Sequence, residues 1–424
     1  MNGNAGPVFR LVNTIRNYAW GSYDGLARFA GIEQEPGKPS AECWMGSHPD
    51  APSSLLIPGG ERLSLQKFIR EYPIRTLGEE VFSEFGDLPF LFKVLSASMP
   101  LSIQVHPDRE KAERGFDGEE LRGIARTAPE RNYRDRNHKP ELAVALSGFS
   151  AICGFRRAEE TAEFLGPQLC SYFAFSPSEP EKSFRALLGK VLILRDREKA
   201  FVENAVAARA RELALAADGR ARLAGETSLL CFRHYPHDLG ACSPLFLEVR
   251  VLEPGQGLYV PAGVMHAYLE GTILEVMATS DNVIRGGLTH KHIDVEEFLS
   301  ILDVRSQPLL VEPVALPAWP GEMAWPTPAR EFSLSRMDFA GTRTREIRPA
   351  GPEILLCTDG SVTIDYPAFQ GKSGSGSGES RTESLILGRG ESVFIAAACR
   401  AYSLSGKGRV YRTGTGGDPE GAPR

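Results

Sequence analysis

The sequence has few of the features that mark secreted or membrane-spanning proteins. Its cysteines number seven among 424 residues, an odd count, and no C-x-x-C pair occurs. This argues against a disulfide framework and a cysteine-ligated metal site, and it favours a reducing, cytoplasmic location. The sequence also lacks an apolar run of the ~18 residues that a membrane span requires, and its first residues have no signal-peptide character. We therefore expect no membrane partner.

Positive charge is not in excess either. Lys and Arg total 48 against 54 Asp and Glu, which gives a net charge of −6 and a pI near 5.9. No basic patch dominates, so a nucleic-acid partner is not expected. The proportions of apolar residues (42%) and charged residues (24%) are typical of a soluble globular protein. A chain of this length predicts two or three domains.

Short apolar runs between Gly and Pro residues dominate most of the chain. They predict strands at 89–99, 101–105, 141–146, 246–252 and 258–260, and residues 1–155 are predicted to hold short strands and turns. Residues 157–238 differ, because helix formers are frequent there. Apolar side chains follow helical spacing within 199–217, at Val202, Val206, Ala210 and Leu213. The predicted fold is mainly β with an α-helical insertion.

A sequence pattern near the middle of the chain returns in weaker form near its end. G-x5-P-x-G-x2-H at 255–266 has a counterpart, G-x5-A-x-A-x2-A, at 390–401. The second copy has alanine where the first has His266, so we expect a second β domain without a metal. Residues 352–364 predict two strands around an Asp-Gly turn. Residues 372–380 predict a flexible surface loop.

Four polar residues from distant parts of the chain predict a metal site. Gln104 and His106 are two apart in a probable strand and leave the same face, Glu141 opens the next strand, and His266 follows a tight turn. Imidazole and carboxylate groups are common zinc ligands, and a catalytic zinc keeps one position open. Because the set contains no thiolate, iron, manganese or cobalt also fit.

The pattern at 255–266 resembles the second signature of the cupin superfamily of metal-binding jelly-roll proteins. Six segments further resemble type I mannose-6-phosphate isomerases, in family order: 17–22 (NYAWGS), 41–50 (AECWMGSHPD), 89–108 (PFLFKVLSASMPLSIQVHPD), 130–146 (ERNYRDRNHKPELAVAL), 260–271 (VPAGVMHAYLEG) and 280–295 (SDNVIRGGLTHKHIDV). The resemblance covers roughly residues 8–305. The last hundred residues match only in general pattern.

This resemblance implies a fold, a reaction and a set of site residues. The family interconverts mannose 6-phosphate and fructose 6-phosphate, with one zinc ion per chain held at Gln104, His106, Glu141 and His266, and with an active-site arginine at Arg285. It implies two cupin-type jelly-roll β domains plus a small helical domain. The expected division is 1–156 and 239–320 for the catalytic domain, 157–238 for the helices, and 321–424 for a degenerate second cupin domain.

The isomerase reaction needs a proton-transferring base and positive charge near the developing oxyanion. We assign the positive charge to zinc and Arg285. Glu275, Lys139 and a zinc-bound water are alternative bases. Asp281 and His138 are candidates for ring opening or for holding the cationic groups. The sugar phosphate is expected to be anchored by cationic and hydroxyl side chains chosen from Lys93, Ser102, Lys139, Arg285 and Lys291.

Two other functions are compatible with a cupin-like metal site. One is a metal enzyme of another class, such as a dioxygenase, which needs iron and coordination positions open to oxygen. The other is a metal-stabilised sugar-binding or regulatory module, which binds a sugar phosphate without turnover. The isomerase is preferred because the expected ligands and Arg285 are all intact. A monomer is expected.

Overall fold

The computed structural model of the chain describes residues 6–57, 59–316, 321–341, 344–368 and 381–416. The loop predicted at 372–380 lies outside these residues. The chain is 30% helix and 33% strand, so it is a mixed protein with two large antiparallel sheets, and the predicted helical insertion is one of its main parts. Within the described ranges, no helix combines the length and the apolar character needed to cross a membrane.

The strands are distributed on both sides of the helical region. In chain order they are β1 (Val8–Val12), β2 (Thr14–Arg16), β3 (Glu42–Met45), β4 (Ser54–Leu56), β5 (Arg62–Ser64), β6 (Phe90–Ala97), β7 (Ile103–Val105), β8 (Glu141–Ala145), β9 (Phe149–Phe155), β10 (Leu247–Leu252), β11 (Gly257–Val260), β12 (His266–Ala278), β13 (Ile284–Gly287), β14 (Leu309–Val311), β15 (Val314–Ala315), β16 (Glu322–Ala324), β17 (Ser333–Ala340), β18 (Arg345–Ile347), β19 (Glu353–Pro367), β20 (Thr382–Gly388), β21 (Ser392–Ile395) and β22 (Tyr402–Gly414).

Most of the helical residues fall between β9 and β10. The α-helices are α1 (Leu65–Glu71), α2 (Pro73–Leu77), α3 (Glu79–Phe85), α4 (Arg109–Leu121), α5 (Ala158–Phe173), α6 (Pro180–Ile193), α7 (Asp196–Ala214), α8 (Gly219–His234) and α9 (Val295–Ile301). Short π and 3₁₀ turns cover Leu26–Ala30 and Leu239–Leu245.

The helical insertion forms where its spacing predicts it. The four apolar residues predicted to share one face of α7 are all buried, and Val202, Val206 and Leu213 belong to the helical core. Asp218 caps the next helix by accepting hydrogen bonds from the backbone N–H groups of Arg220 and Ala221. The helix α5 is interrupted at Gly166, whose φ of 72° is not helical, immediately before Pro167.

Two predictions about local structure are wrong. The region before residue 155 contains the helices α1 to α4 as well as strands: α1 to α3 are too short to show a helical period, and α4, with 13 residues, has few apolar residues to mark one. The predicted Asp-Gly turn in 352–364 is instead part of the continuous strand β19. The register against β22 shifts between Cys357 and Asp359, and Gly360 has a φ of 63°. Gly360 is therefore part of a β-bulge, and β19 continues through it without a turn.

The first sheet follows the order β14-β11-β8-β12-β6-β3-β2, and β7, β9, β10 and β13 extend it. The long strand β12 joins its two halves. The C-terminal part of β12 pairs with β6 and β8, whereas its beginning pairs with β7 and β9. One half packs on the second sheet, the other packs on the helical region, and the inner faces of both halves meet in a common core.

The second sheet contains both ends of the described chain. Its order is β15-β16-β17-β22-β19-β21-β1-β4-β5, so the first strand of the protein lies beside β21, with Phe9 opposite Phe394. A shared apolar core joins the two sheets: Phe9 and Ile354 from the second sheet belong to the same cluster as Phe92 and Val276 from the first. The two sheets therefore pack as one body.

Candidate metal centre

Strand alternation places the predicted ligands on the inner face of the first sheet. On β7, Ile103 and Val105 belong to the core shared with the helices, so Gln104 and the following His106 face the opposite way. On β8, Leu142 and Val144 pack toward the second sheet, which turns Glu141 inward. His266 begins β12, and the register places it directly opposite Gln104.

His106, Glu141 and His266 form a buried cluster whose possible ligand atoms all lie within 4.8 Å of one another. His106 Nε2 is 3.3 Å from Glu141 Oε1, and His266 Nε2 is 3.5 Å from Glu141 Oε2. All three side chains are almost completely shielded from solvent. A carboxylate thus lies between two imidazoles in a buried pocket, the arrangement in which a divalent cation is normally held.

Backbone carbonyl groups fix the orientation of both imidazoles. His106 Nδ1 is 2.7 Å from the carbonyl oxygen of Asn282, and His266 Nδ1 is 3.0 Å from that of Val264. A carbonyl oxygen only accepts, so both rings carry their proton on Nδ1. Each Nε2 is then an unprotonated donor atom that points at the cluster, which is the form that binds a metal.

Gln104 completes the set from the neighbouring strand. Its amide Nε2 lies 3.3 Å from His266 Nε2. A half-turn of the amide group exchanges nitrogen and oxygen at nearly the same position. That rotation brings Oε1, the neutral oxygen that a metal accepts as a ligand, to the edge of the cluster.

The charge state of the cluster also suits a cation. Burial alone opposes ionisation of Glu141, but the ammonium group of Lys139 favours it, and the pKa of this carboxyl lies well below its usual value. Burial, with a further contribution from the charge of Lys139, lowers the pKa of His106 to about 4. At neutral pH the cluster therefore offers one carboxylate and a neutral His106 ring.

The surroundings of one buried nitrogen indicate whether the four proposed ligand residues fit a metal. His106 Nε2 is buried and has no hydrogen-bond partner among the described residues. An unsatisfied buried nitrogen of this kind costs about 1–3 kcal/mol. Coordination of a cation at this nitrogen removes that cost, so Gln104, His106, Glu141 and His266 fit a divalent metal as a group.

Arg285 lies next to the cluster on the same face. In β13 its backbone is in register with Gln104, while the adjacent Ile284 packs into the helical core. Burial lowers the pKa of Arg285, and the nearby charge of Arg134 adds to this effect. Burial also lowers the pKa of Lys291, to which the charges of Arg285 and Arg134 contribute. The charges of Arg134 and Lys291 therefore interact with that of Arg285, and the three residues form a cationic group around Arg285.

Lys93 and Glu275 form a buried ion pair on the same inner face. They are opposite each other on β6 and β12, and Lys93 Nζ donates to Glu275 Oε2 at 2.8 Å. Glu42 lies 3.5 Å from the same ammonium group, and the ring of Trp44 is 5.2 Å from it. Lys93 therefore points into the protein, and not to water as an edge-strand lysine does.

The other predicted site residues have specific partners. Lys139 Nζ is 3.2 Å from Glu141 Oε1, so this lysine contacts the cluster itself.

Asp281 Oδ1 is 3.3 Å from His48 Nε2, and with Asp50 these residues form a second His-Asp group. The His138 ring pairs with Glu331. Ser102 is half-buried two residues before Gln104, which places it at the same face of that segment.

Sequence reasoning missed several residues that shape the site. Asn282 supplies the carbonyl that orients His106, and its own side chain is tied to the loop around Asp135. The hydroxyl group of Tyr268 donates to Glu141 at 3.3 Å. Arg134 was also missed. A possible signal was its position in the segment 130–146, which already carries Lys139 and Glu141.

A buried His-Glu-His cluster with a neighbouring cationic group, on an antiparallel sheet, defines a candidate metalloenzyme for an anionic substrate. Comparisons with known proteins agree. The family model for the catalytic domain of type I phosphomannose isomerase matches residues 8–158. Mannose-6-phosphate isomerase of Escherichia coli is 38% identical over 412 residues, covering 95% of this chain and 98% of that protein. The human mannose-6-phosphate isomerase is 33% identical over 391 residues, covering 86% and 90%.

Solved structures give the same result. The crystal structure of a zinc-bound mannose 6-phosphate isomerase superposes with a TM-score of 0.84 at 35% identity, covering 96% of this chain and 99% of that chain. A variant of phosphomannose isomerase from Salmonella typhimurium superposes with a TM-score of 0.85 and the same coverage. The chain belongs to the type I mannose-6-phosphate isomerase family.

Proposed function

We propose that the protein is a zinc-dependent isomerase that interconverts mannose 6-phosphate and fructose 6-phosphate by proton transfer through a cis-enediol. Membership of the family and the zinc-bound relative support the substrate and the metal. The single observation that carries the proposal is the buried His106–Glu141–His266 cluster beside Arg285. It combines a metal site with a cation where an oxyanion must be stabilised.

We assign zinc to Gln104, His106, Glu141 and His266. When bound, the zinc ion supplies positive charge beside the oxygen that becomes negative as the carbon-bound proton leaves. The backbone carbonyls of Asn282 and Val264 keep both imidazoles in the ligand orientation. Tyr268 adds a hydrogen bond to Glu141 and thereby limits the rotation of this carboxylate.

The cationic group of Arg134, Arg285 and Lys291 is assigned to the anionic parts of the substrate. A guanidinium group keeps its proton at neutral pH even when its pKa is lowered, so Arg285 stabilises charge and does not act as a base. Arg134 and Lys291 raise the local positive potential, and with Ser102 they are assigned to binding of the phosphate. Anchoring this distant group holds carbons 1 and 2 at the catalytic residues.

Two side chains are candidates for the proton transfer. Lys139 contacts the metal cluster at Glu141, whereas Glu275 is held by Lys93 on the neighbouring part of the inner face. Burial raises the pKa of Glu275, an effect that Lys93 opposes and the charge of Glu141 reinforces. A raised pKa suits a group that must both accept and return a proton. We assign Asp281, held by His48, and His138 to support of ring opening and of the neighbouring cations.

The architecture is proposed to be two jelly-roll domains of the cupin type with a helical domain between the two parts of the first. Similar local order in the two sheets supports this. A glycine with positive φ, at Gly255 and at Gly390, precedes a four-residue strand, a turn and a long strand in each. The division at residues 156, 238 and 320 is part of the proposal, although β1, β4 and β5 pair within the second sheet. The monomeric state and the cytoplasmic location stay predictions.

Isomerisation in heavy water tests the reaction directly. Purified zinc-loaded protein is supplied with mannose 6-phosphate in D₂O, and the sugar phosphates are followed by NMR. We expect fructose 6-phosphate to form and deuterium to enter at carbon 1 or 2, because a proton held by a side chain exchanges with solvent. Binding without turnover would replace the proposal with a sugar-binding module. Turnover without any deuterium would keep the activity and would show that the transferred hydrogen does not exchange with solvent during the reaction.

A further inference from the structure

A cleft between the two sheets carries four arginines and lies apart from the metal centre. It has a volume of about 400 Å³ and is lined on one side by the end of β8 and the turn at Pro254–Gly255, and on the other by side chains of the second sheet. Glu141, in the metal cluster, begins β8, and Ala145, in the lining of the cleft, ends it. The two sites are therefore separated by the length of this strand, roughly 13 Å.

The charges in the cleft are unbalanced. Arg28, Arg336, Arg389 and Arg409 line it. Asp338 is shared between Arg336, at 3.0 Å, and Arg409, at 2.6 Å, and Asp359 is the acidic residue in the lining. Two carboxylates against four guanidinium groups leave an excess of positive charge, in a chain whose net charge is −6. This local excess attracts an anion.

Two of the arginines have no carboxylate partner within the described ranges. Arg389 donates only to backbone carbonyl groups, those of Ala27, Arg28 and Thr358, at 2.7 to 3.1 Å. These bonds fix the side chain but do not neutralise its charge. The guanidinium group of Arg28 stacks on the ring of Phe29 at 5.2 Å. Both side chains are exposed, so a solute can reach them.

We propose that this cleft, the arginine cleft, is a second binding site, which takes a phosphate group carried by a small molecule. Arginine forks match the oxygens of a phosphate, and a dianion balances the excess charge. The volume lies within the range of ligand pockets, about 300–1,000 Å³. The occupant can therefore be larger than a bare phosphate ion, and both inorganic phosphate and a phosphomonoester carry the required chemistry. Because the cleft joins both sheets, its occupant bridges them.

Residue-specific modification tests the arginine cleft without interference from the metal centre. The zinc-loaded protein is treated with phenylglyoxal, and the modification rate of each arginine is measured by peptide mass spectrometry. Glycerol 3-phosphate or inorganic phosphate is added, with sodium chloride at matched ionic strength as the reference. We expect either phosphate compound to slow the modification of Arg28 and Arg389 by about threefold or more. Arg157, which is highly exposed and far along the chain, should react at an unchanged rate.

Two variants distinguish a specific phosphate-binding site from nonspecific attraction of anions to positive charge. Arg28→Gln should reduce the protection of Arg389 by about threefold, since one phosphate ligand is lost, whereas Arg157→Gln, the matched control, should leave it unchanged. Stronger protection by glycerol 3-phosphate than by inorganic phosphate identifies a phosphomonoester as the occupant, and the reverse order identifies the free ion. Equal rates with and without either compound, or equal protection of Arg157, would overturn the proposal.

Discussion

The imidazoles of the metal centre are oriented before any metal arrives. Each Nδ1 is held by a backbone carbonyl group, so the two Nε2 atoms face Glu141 in the buried cluster. Little reorganisation is then needed when a cation binds, because the rings already have the right tautomer and direction. The cost of keeping His106 Nε2 unsatisfied is stored in the folded protein without metal.

Removal of one imidazole should remove the metal. We expect His266→Ala to lower the zinc content, measured by plasma mass spectrometry after gel filtration, from one per chain to well below one, because one ligand of the proposed four is lost. His290→Ala is the matched control, since His290 is exposed and belongs to no ligand group. A variant at His266 that retains stoichiometric zinc would remove this residue from the metal site.

Arg285 should act on turnover and not on the metal. We expect Arg285→Ala to keep its zinc and to lower kcat by about 10²–10³, the usual cost of losing one group that stabilises transition-state charge. Isomerase kinetics and metal analysis on the same preparation measure both effects. Arg157→Ala, which removes a highly exposed arginine, should change neither quantity. A near-normal rate for Arg285→Ala would exclude a catalytic role.

At the residue scale, the sequence was most informative where a pattern is local. Strand alternation put Gln104 and His106 on one face, and the tight turn singled out His266, while Glu141 came with the resemblance to the isomerase family. The structure brings His106, Glu141 and His266 together. Arg134 was not predicted, because its proximity to Arg285 and Lys291 arises only when three distant segments meet. The partners of Asp281 and His138, which are His48 and Glu331, lie far away in sequence for the same reason.

At the scale of elements, β6 and β12 illustrate how an apolar strand carries a charge inward. Phe92 and Val276 face the core shared by the two sheets, while Lys93 and Glu275 face the opposite side. Each charge is nearly fully buried, and each depends on the other to offset its desolvation. The stability of the first sheet should therefore depend on both members of the Lys93–Glu275 pair.

Neutralising one member of this pair should destabilise the fold. We expect Glu275→Gln to lower the free energy of unfolding by about 3 kcal/mol, because Lys93 keeps its buried charge but loses its nearest partner. Glu42, at 3.5 Å, limits the loss. Urea denaturation measures the change, with Glu270→Gln, an exposed position on the same strand, as the control. An equal stability of the two variants would show that the pair does not matter for folding.

Elements were predictable in proportion to their length and periodicity. The helix α7 is long and amphipathic, and its four predicted core positions are buried. The helices α1 to α3 have only five to seven residues each, too few for a helical period to stand out from the surrounding turns. In β19 the Asp-Gly pair resembles a hairpin turn, and only the pairing with β22 shows that it is a bulge.

At the scale of the whole molecule, the two ends of the described chain belong to one sheet. The strand β1 lies between β21 and β4, and the core behind it contains side chains of both sheets. No local signal in the sequence predicts this pairing, because it joins residues that are nearly 400 positions apart. The assignment of residues 1–156 to a single domain could not anticipate it.

The first strand should therefore matter for the stability of the entire protein. We expect Phe9→Ala to lower the free energy of unfolding by about 3–5 kcal/mol, since this ring is buried in the core between the sheets and packs on Phe68 at 5.2 Å. The control is Tyr23→Ala, an exposed aromatic position expected to cost less than about 0.5 kcal/mol. A small effect at Phe9 would show that β1 is dispensable.

In the proposed function, the His106–Glu141–His266 cluster holds a metal on which sugar-phosphate isomerisation depends. The most direct measurement is the rate of mannose 6-phosphate conversion before metal removal, after removal verified by mass spectrometry, and after addition of one equivalent of zinc. We expect activity to be lost with the metal and to return with zinc, while circular dichroism shows that the fold persists. Full activity in verified metal-free protein would contradict it.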